Sequence, residues 1–548
     1  MDTTRIIGFV AAVLLVSAAP SFGTESTAPP ASPKTPSSTV PLYTDLGSHH
    51  KSISTKVPAT QQYFDQGLRF VYGFNHAEAI RSFKQAAALD PTCAMCYWGI
   101  ALAYGPHVNA PMDSPSGVAA YEAVQKALAL KSHATAPEGA YIDALAQRYE
   151  ANPPADRARL DTAYSRAMEK VATTYGDDLD AATLYAESLM DLRPWNYWQP
   201  DGTPYPGTNE IVRQLKRVLS RNANHPGACH YYIHAVEAVN PEAAVPCAER
   251  LAGLMPGEGH MVHMPAHIYI RVGRWNDAVK ANQHAIHDDE VFIEGQKPVG
   301  VYPLAYYPHN IHFLAFASTM AGRSAQAIEA SQTLTSKVNV DAARQVGLLQ
   351  EMLPYHALTL TTFGKWDEVL AEPLPPADIP FSYAMAQYAR GVAQAAKGQW
   401  AEAQAALDTV KKINGETPEG ADGKTALSIA VHALSGEIAT RRGDLEAGTT
   451  HFREAAKIED GGLYFEPPKW YYPIRHSLGA ALLKAGHHAE AEKVYREDLK
   501  RFPENGWSLF GLAQALKAQG KNAEAAAAET RFRQAWPNTD VTLTASRF

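Results

Sequence analysis

An all-α chain of stacked helical hairpins, wound as a right-handed solenoid, is the fold that this sequence of 548 residues predicts. Three observations carry the prediction. A register of glycine, alanine, an aromatic residue and proline recurs at the spacing of a two-helix unit. Glycine-bearing connectors punctuate that register. No stretch alternates with period two for long enough to compete as a sheet.

The register is clearest between Tyr63 and Pro91, where Gly67, Ala79, Phe83, Ala86 and Pro91 fall at the spacing of a tetratricopeptide repeat (TPR). Such a repeat holds two antiparallel helices in about 34 residues. Small residues let the helices approach, the aromatic fills the seam, and proline ends the second helix. The pattern returns at Gly391 with Ala403, Gly436 with Phe452 and Ala455, Gly479 with Ala491, Tyr495 and Pro503, and Gly511 with Ala523. Connectors such as Lys397-Gly398-Gln399-Trp400, Arg442-Gly443-Asp444 and Gln519-Gly520-Lys521-Asn522 place glycine where a first helix must stop in the left-handed region.

Ahead of the repeats, Arg5 and the apolar run Ile6 to Ala19, followed by Ser21-Phe22-Gly23, read as a signal peptide over residues 1–23. An uncleaved anchor is the alternative; in both cases the body is exported, to the periplasm or beyond. Residues 24–48 begin with a Pro/Ser/Thr-rich stretch that buries too little apolar surface to offset its ordering entropy, so a disordered tether is expected. The remainder divides into an N-terminal TPR array at 49–225, a central His-rich segment at 226–345 and a C-terminal array at 346–548. No later run approaches the length of a membrane span. A net charge of -8 with 19% charged residues provides no basic surplus for nucleic acid or an anionic membrane. Two insertions, Pro194 to Gly207 and Glu294 to Pro308, are rich in Pro, Gly and aromatics and are expected as loops, where binding surfaces often sit.

The strings Tyr63-Phe64-Asp65-Gln66-Gly67-Leu68, Phe74-Asn75-His76-Ala77-Glu78-Ala79, Asp90-Pro91-Thr92-Cys93-Ala94-Met95-Cys96-Tyr97-Trp98-Gly99, His263-Met264-Pro265-Ala266-His267-Ile268 and His309-Asn310-Ile311-His312 resemble an uncharacterised family of long, exported bacterial TPR proteins. The resemblance covers most of the chain after the tether. It implies fold and export and carries no activity.

Chemistry concentrates in the middle. His230, His234 and Glu237 form one helical stripe, His260, His263 and His267 a second, and His309 with His312 a third. Registering each on its own second-helix alanine, Ala244, Ala278 and Ala327, makes the three segments first helices of consecutive repeats. The TPR resemblance implies that first helices line a concave groove. Three stripes are therefore expected to converge on one wall, as a site for a transition metal, Zn, Cu or Fe. The sharpest expectation is that His263, His267, His309 and His312 hold the ion, helped by His230. Glu187 and Glu237 are the candidates for a catalytic base or an extra ligand. No His-Glu-x-x-His string is present, so zincin chemistry is not indicated.

The four cysteines fall as Cys93-x-x-Cys96 and as Cys229 with Cys247. Disulfides are the default in an oxidising compartment. Cys229 and Cys247 are placed to bridge a helical hairpin, while Cys93 and Cys96 form a bridge or remain thiols. Tyr97 stands where a c-type haem motif would need histidine. Two functional classes follow: a scaffold whose groove binds a protein, peptide or small molecule, and a metal site there, with or without hydrolase or oxidoreductase activity. The clustering of imidazoles favours a metal-binding TPR protein.

Overall fold

The computed structural model describes residues 40–298, 300 and 302–548; the signal peptide expected at 1–23 and most of the tether lie outside them. Among the described residues the regular structure is helical, with two isolated β-bridges and no strand. No helix there is long and apolar enough to cross a membrane.

Consecutive helices pack as hairpins, as in Pro58–Tyr72 with His76–Leu89, Lys424–Arg442 with Leu445–Asp460 and Gly506–Ala518 with Asn522–Ala535. Each hairpin also stacks on the next. The seams are those the register predicts. A Cβ added to Gly67 would stand 2.7 Å from the Phe83 ring, and one added to Gly99, in the following helix, 2.5 Å from it. Tyr495 is enclosed in the same way by Gly479 and Gly511. The connector glycines Gly398, Gly443 and Gly520 take φ of 73°, 94° and 73°, the left-handed turn expected of them. Side-chain caps open several second helices: Asn75 accepts the Glu78 N–H, and Asp444 that of Ala447.

The described chain divides into two units rather than three arrays: 40–235 with 253–258, and 236–252 with 259–548. The His-rich segment is shared between them, because the helix Pro226–Val236 belongs almost wholly to the first and the helices from Gly259 onward to the second. Residues 40–48 are not a tether. Val40 and Leu46 are buried, the Tyr63 hydroxyl donates to the Val40 carbonyl (2.7 Å), and Gln66 bonds both the carbonyl of Pro41 and the N–H of Tyr43.

The second unit departs from an open array, in which each repeat touches only its neighbours. The Trp275 indole donates to the Pro503 carbonyl (2.8 Å), Trp507 to Thr319 (3.0 Å) and Trp536 to Met320 (2.8 Å). The extended segment after Trp536 continues this contact, with Asp540 accepting the N–H groups of Ser324 (2.6 Å) and Ala325 (2.9 Å) at the start of helix Ser324–Lys337. Repeats some two hundred residues apart are thus joined directly.

Both insertions are more ordered than the loops expected. Within Pro194 to Gly207, Trp198 and Pro204 form a β-bridge and the Trp198 indole donates to the Ala235 carbonyl (2.8 Å). In the second, helix Trp275–Gln296 runs into the insertion and Tyr302–Tyr306 form a wide helical turn leading into Tyr307–Met320.

Cys93 and Cys96 form a disulfide. The bridge expected between Cys229 and Cys247 is not formed: both are buried thiols, and Cys229 Sγ lies 3.5 Å from the Ala223 carbonyl of the preceding loop. Alkylation of unfolded, unreduced protein should therefore modify two cysteines, Cys229 and Cys247; four or none would contradict this pairing. The seam makes a second prediction. Gly99→Ala should lower stability by about 1–3 kcal/mol through overpacking against Phe83. Gly253→Ala, on an exposed helical site with no atom within 4 Å of the new methyl, should be neutral or stabilising. Urea midpoints of the two variants distinguish them.

Candidate metal centre

The first helix of the central repeat is broken into Gly259–His263 and Pro265–Arg271, because Pro265 lacks the N–H that would continue the ladder. Met264 nevertheless keeps right-handed helical angles, so the chain winds on and His263 and His267 stay one turn apart on one face. His309, near the start of Tyr307–Met320, brings a third ring: its centroid lies 4.9 Å from that of His263 and 5.8 Å from that of His267. Phe313 backs all three rings at 4.6–5.1 Å. One nitrogen from each histidine falls within 4.8 Å of the other two.

The groups around these rings fix where their protons sit. Asn282 donates its Nδ2 to the Ala278 carbonyl (2.8 Å), which leaves its Oδ1 facing His263 Nδ1 at 2.7 Å. That nitrogen therefore carries the proton. His267 Nδ1 faces two carboxylate oxygens, Glu237 Oε2 at 3.0 Å and Glu466 Oε2 at 2.9 Å, and carries a proton for the same reason. In the neutral rings both Nε2 atoms are then acceptors, and they stand 2.9 Å apart. Two lone pairs at that separation require an electrophile between them, either a proton or a metal ion. Burial lowers the basicity of His267, but Glu237 and Glu466 outweigh it and push its pKa up to about 9. Burial, followed by the charge of Glu237, pushes Glu466 up in turn.

The other expected ligands lie differently. His312 is not in the group: its ring stands edge-on to Tyr355 with centroids 4.2 Å apart, its Nε2 has no hydrogen-bond partner, and burial drives its pKa down to about 3. Although residues three apart are neighbours on a helix, the His312 ring turns onto Tyr355 and not toward the other three. His260 packs on Tyr306 with centroids 4.5 Å apart. In the first unit, His230 donates its Nδ1 proton to the Tyr72 carbonyl (2.6 Å) and its Nε2 is 3.1 Å from that of His234, which Trp195 covers. The seven histidines are all buried, not displayed on an open wall.

Glu237 Oε2 lies 3.0 Å from His267 Nδ1. Glu187 belongs to another network. Burial, and then the adjacent Asp191 carboxylate, hold its carboxyl well above the usual range, with Arg148 opposing them. Asn282 and Glu466 were not singled out by the sequence. Asn282 could have been found four residues after the seam alanine Ala278, whereas Glu466 comes from a non-periodic connector after helix Leu445–Asp460. A second cluster missed by the sequence lies in the first unit, where His49, Asp180 and His225 meet.

No known family profile matches the chain. A segment of 98 residues is 32% identical to human tetratricopeptide repeat protein 7A, covering 18% of this chain and 10% of that protein. Among solved structures, human IFIT1 bound to m7Gppp-AAAA aligns over 88% of this chain and 90% of its own at 13% identity with a TM-score of 0.31. Yeast Tom70 aligns over 87% and 91% at 12% identity with a TM-score of 0.26. The local sequence match and the glycine–aromatic seams agree on helical repeats of the tetratricopeptide type.

Proposed function

We propose that this is an exported TPR protein that binds a transition metal ion through His263, His267 and His309. The observation that carries the reading is the convergence of His263, His267 and His309, with one nitrogen of each within 4.8 Å of the other two and the Nε2 atoms of His263 and His267 2.9 Å apart. Ligand atoms separated by about 3 Å suit a common ion at roughly 2.0–2.2 Å from each. Neutral imidazole donors suit Zn, Cu or Fe, and a three-histidine set leaves a position for a further ligand. Asn282 hydrogen-bonds His263, and the Glu237 and Glu466 carboxylates stand against His267 Nδ1, as groups that orient imidazoles in such sites do. The Cys93–Cys96 disulfide supports an oxidising, exported location. Glu237, engaged with His267, orients a ligand rather than serving as a base.

Elemental analysis of metal-replete protein should find about one ion per chain at this site. His263→Ala with His267→Ala should abolish it while helicity by circular dichroism persists, and Asn282→Ala should weaken it by about 10–100-fold. His312→Phe should retain the full complement. Equal metal in wild type and the double variant, or none in either, would defeat the proposal.

The metal-free protein makes a separate prediction. His267, raised to about 9 in the fold, titrates near 6.5 when unfolded. Its protonated form therefore stabilises the apo protein fully below about pH 6.5, and that contribution, about 3 kcal/mol, is lost as pH rises to about 9. Urea midpoints of chelator-treated protein across this window should fall, and His267→Gln should remove most of the slope.

A further inference from the structure

We infer that the first unit carries a second, independent site: a polar cavity in which His49, held by Asp180, acts as a general base in the hydrolysis of small acyl esters. The cavity has a volume of about 460 Å³ and is lined by Ser48, His49, Asp180, Asn222, Asn224 and His225 among others. That size suits a small molecule.

Asp180 is the anchor. Its Oδ1 receives the Tyr72 hydroxyl at 2.5 Å and His49 Nε2 at 2.9 Å; His225 Nε2 lies 3.3 Å from the same oxygen and 3.4 Å from the Thr183 hydroxyl, and Lys51 Nζ lies 3.7 Å from Oδ2. Burial alone would favour the neutral acid. The hydrogen bonds from His225 and His49 and the charge of Lys51 overcome it and hold the carboxyl well below the usual carboxylate range.

The two histidines have different roles. His225 caps the helix Pro226–Val236, with its Nδ1 accepting the Ala228 N–H (3.2 Å). Its proton is therefore on Nε2, between the Asp180 carboxylate and the Thr183 hydroxyl, and it offers no lone pair there to a cation. That tautomer argues against a metal at this cluster. His49 donates its Nε2 proton to the ionised Asp180, which leaves Nδ1 as the basic nitrogen of a ring lining the cavity. A buried carboxylate on one imidazole nitrogen and a reactant at the other is the arrangement that orients a general base and stabilises its protonated form. On the cavity wall, Asn222 uses its Oδ1 to accept the Asn224 N–H (3.0 Å), so its Nδ2 remains a donor for a carbonyl oxygen.

The reaction needs no co-reactant but water. His49 Nδ1 takes a proton from water as the water oxygen bonds to the ester carbonyl carbon. The bond to the alcohol oxygen then breaks, and the leaving group departs with the electron pair and recovers the proton from Nδ1. A carboxylic acid and an alcohol result.

The test uses full-length protein treated with chelator, so that the three-histidine centre contributes nothing, and p-nitrophenyl acetate as the probe. Wild type should release p-nitrophenolate faster than His49→Gln by at least about tenfold, general acid–base catalysis being worth about 10²–10⁴. His49→Gln retains a donor for Asp180 and should keep the helical circular dichroism spectrum. Asp180→Asn should lower kcat with a smaller effect on KM, whereas His432→Gln, in helix Lys424–Arg442 of the second unit, should leave the rate unchanged. Equal rates for wild type and His49→Gln, or an equal loss in His432→Gln, would overturn the proposal by assigning the hydrolysis to exposed imidazoles in general.

Discussion

Phe83 lies between two positions that carry no side chain, Gly67 in one helix and Gly99 in the next, and either Cβ would drive into its ring. The other contacts of the fold depend on this close approach. Where the backbones of successive first helices come together, histidines one turn apart on one helix reach a histidine on its neighbour. His263 and His267 meet His309 where the helices bearing them come together. The seams are apolar and tight; the chemistry is carried on the faces they bring together.

Enclosing three imidazoles and two carboxylates is costly unless every polar atom finds a partner. The partners come from well separated parts of the chain: Glu237 from the preceding repeat, Asn282 from the second helix of the same repeat, and Glu466 from a connector nearly two hundred residues further on. Arg271, with its Nε 3.9 Å from Glu466 Oε1, and the Tyr464 hydroxyl, donating to that same oxygen, position this distant carboxylate. The imidazoles are thus oriented by groups that only tertiary folding brings together. The insertions contribute by covering histidines, Trp195 over His234 and Tyr306 over His260.

The fold was legible because glycine and aromatic positions answer to a local constraint, the width of one hairpin. The triad of His263, His267 and His309 was legible in part, since helical periodicity places i and i+4 together. It failed for His312, whose ring packs on Tyr355 although residues three apart are helical neighbours. Exposure was misjudged for all seven histidines, because the expected open groove took no account of the two insertions or of the contacts between distant repeats. Glu466, Asp180 and His49 were invisible to periodicity: each reaches its partner through tertiary folding. The cysteines illustrate the same limit, since proximity in a hairpin suggested a Cys229–Cys247 bridge that the orientation of Cys229 toward Ala223 does not form.

The joining of distant repeats in the second unit bears on how the protein comes apart. In a linear array the terminal repeats are held on one side only and fray first, and intermediate states with a few repeats melted are populated. Here Trp275, Trp507, Trp536 and Asp540 join the early repeats of the unit to its last ones, so neither margin is held on one side only. Opening at one place removes contacts at both margins together. Such a unit melts as a single cooperative block, with native-state hydrogen exchange slow at both margins as well as in the middle.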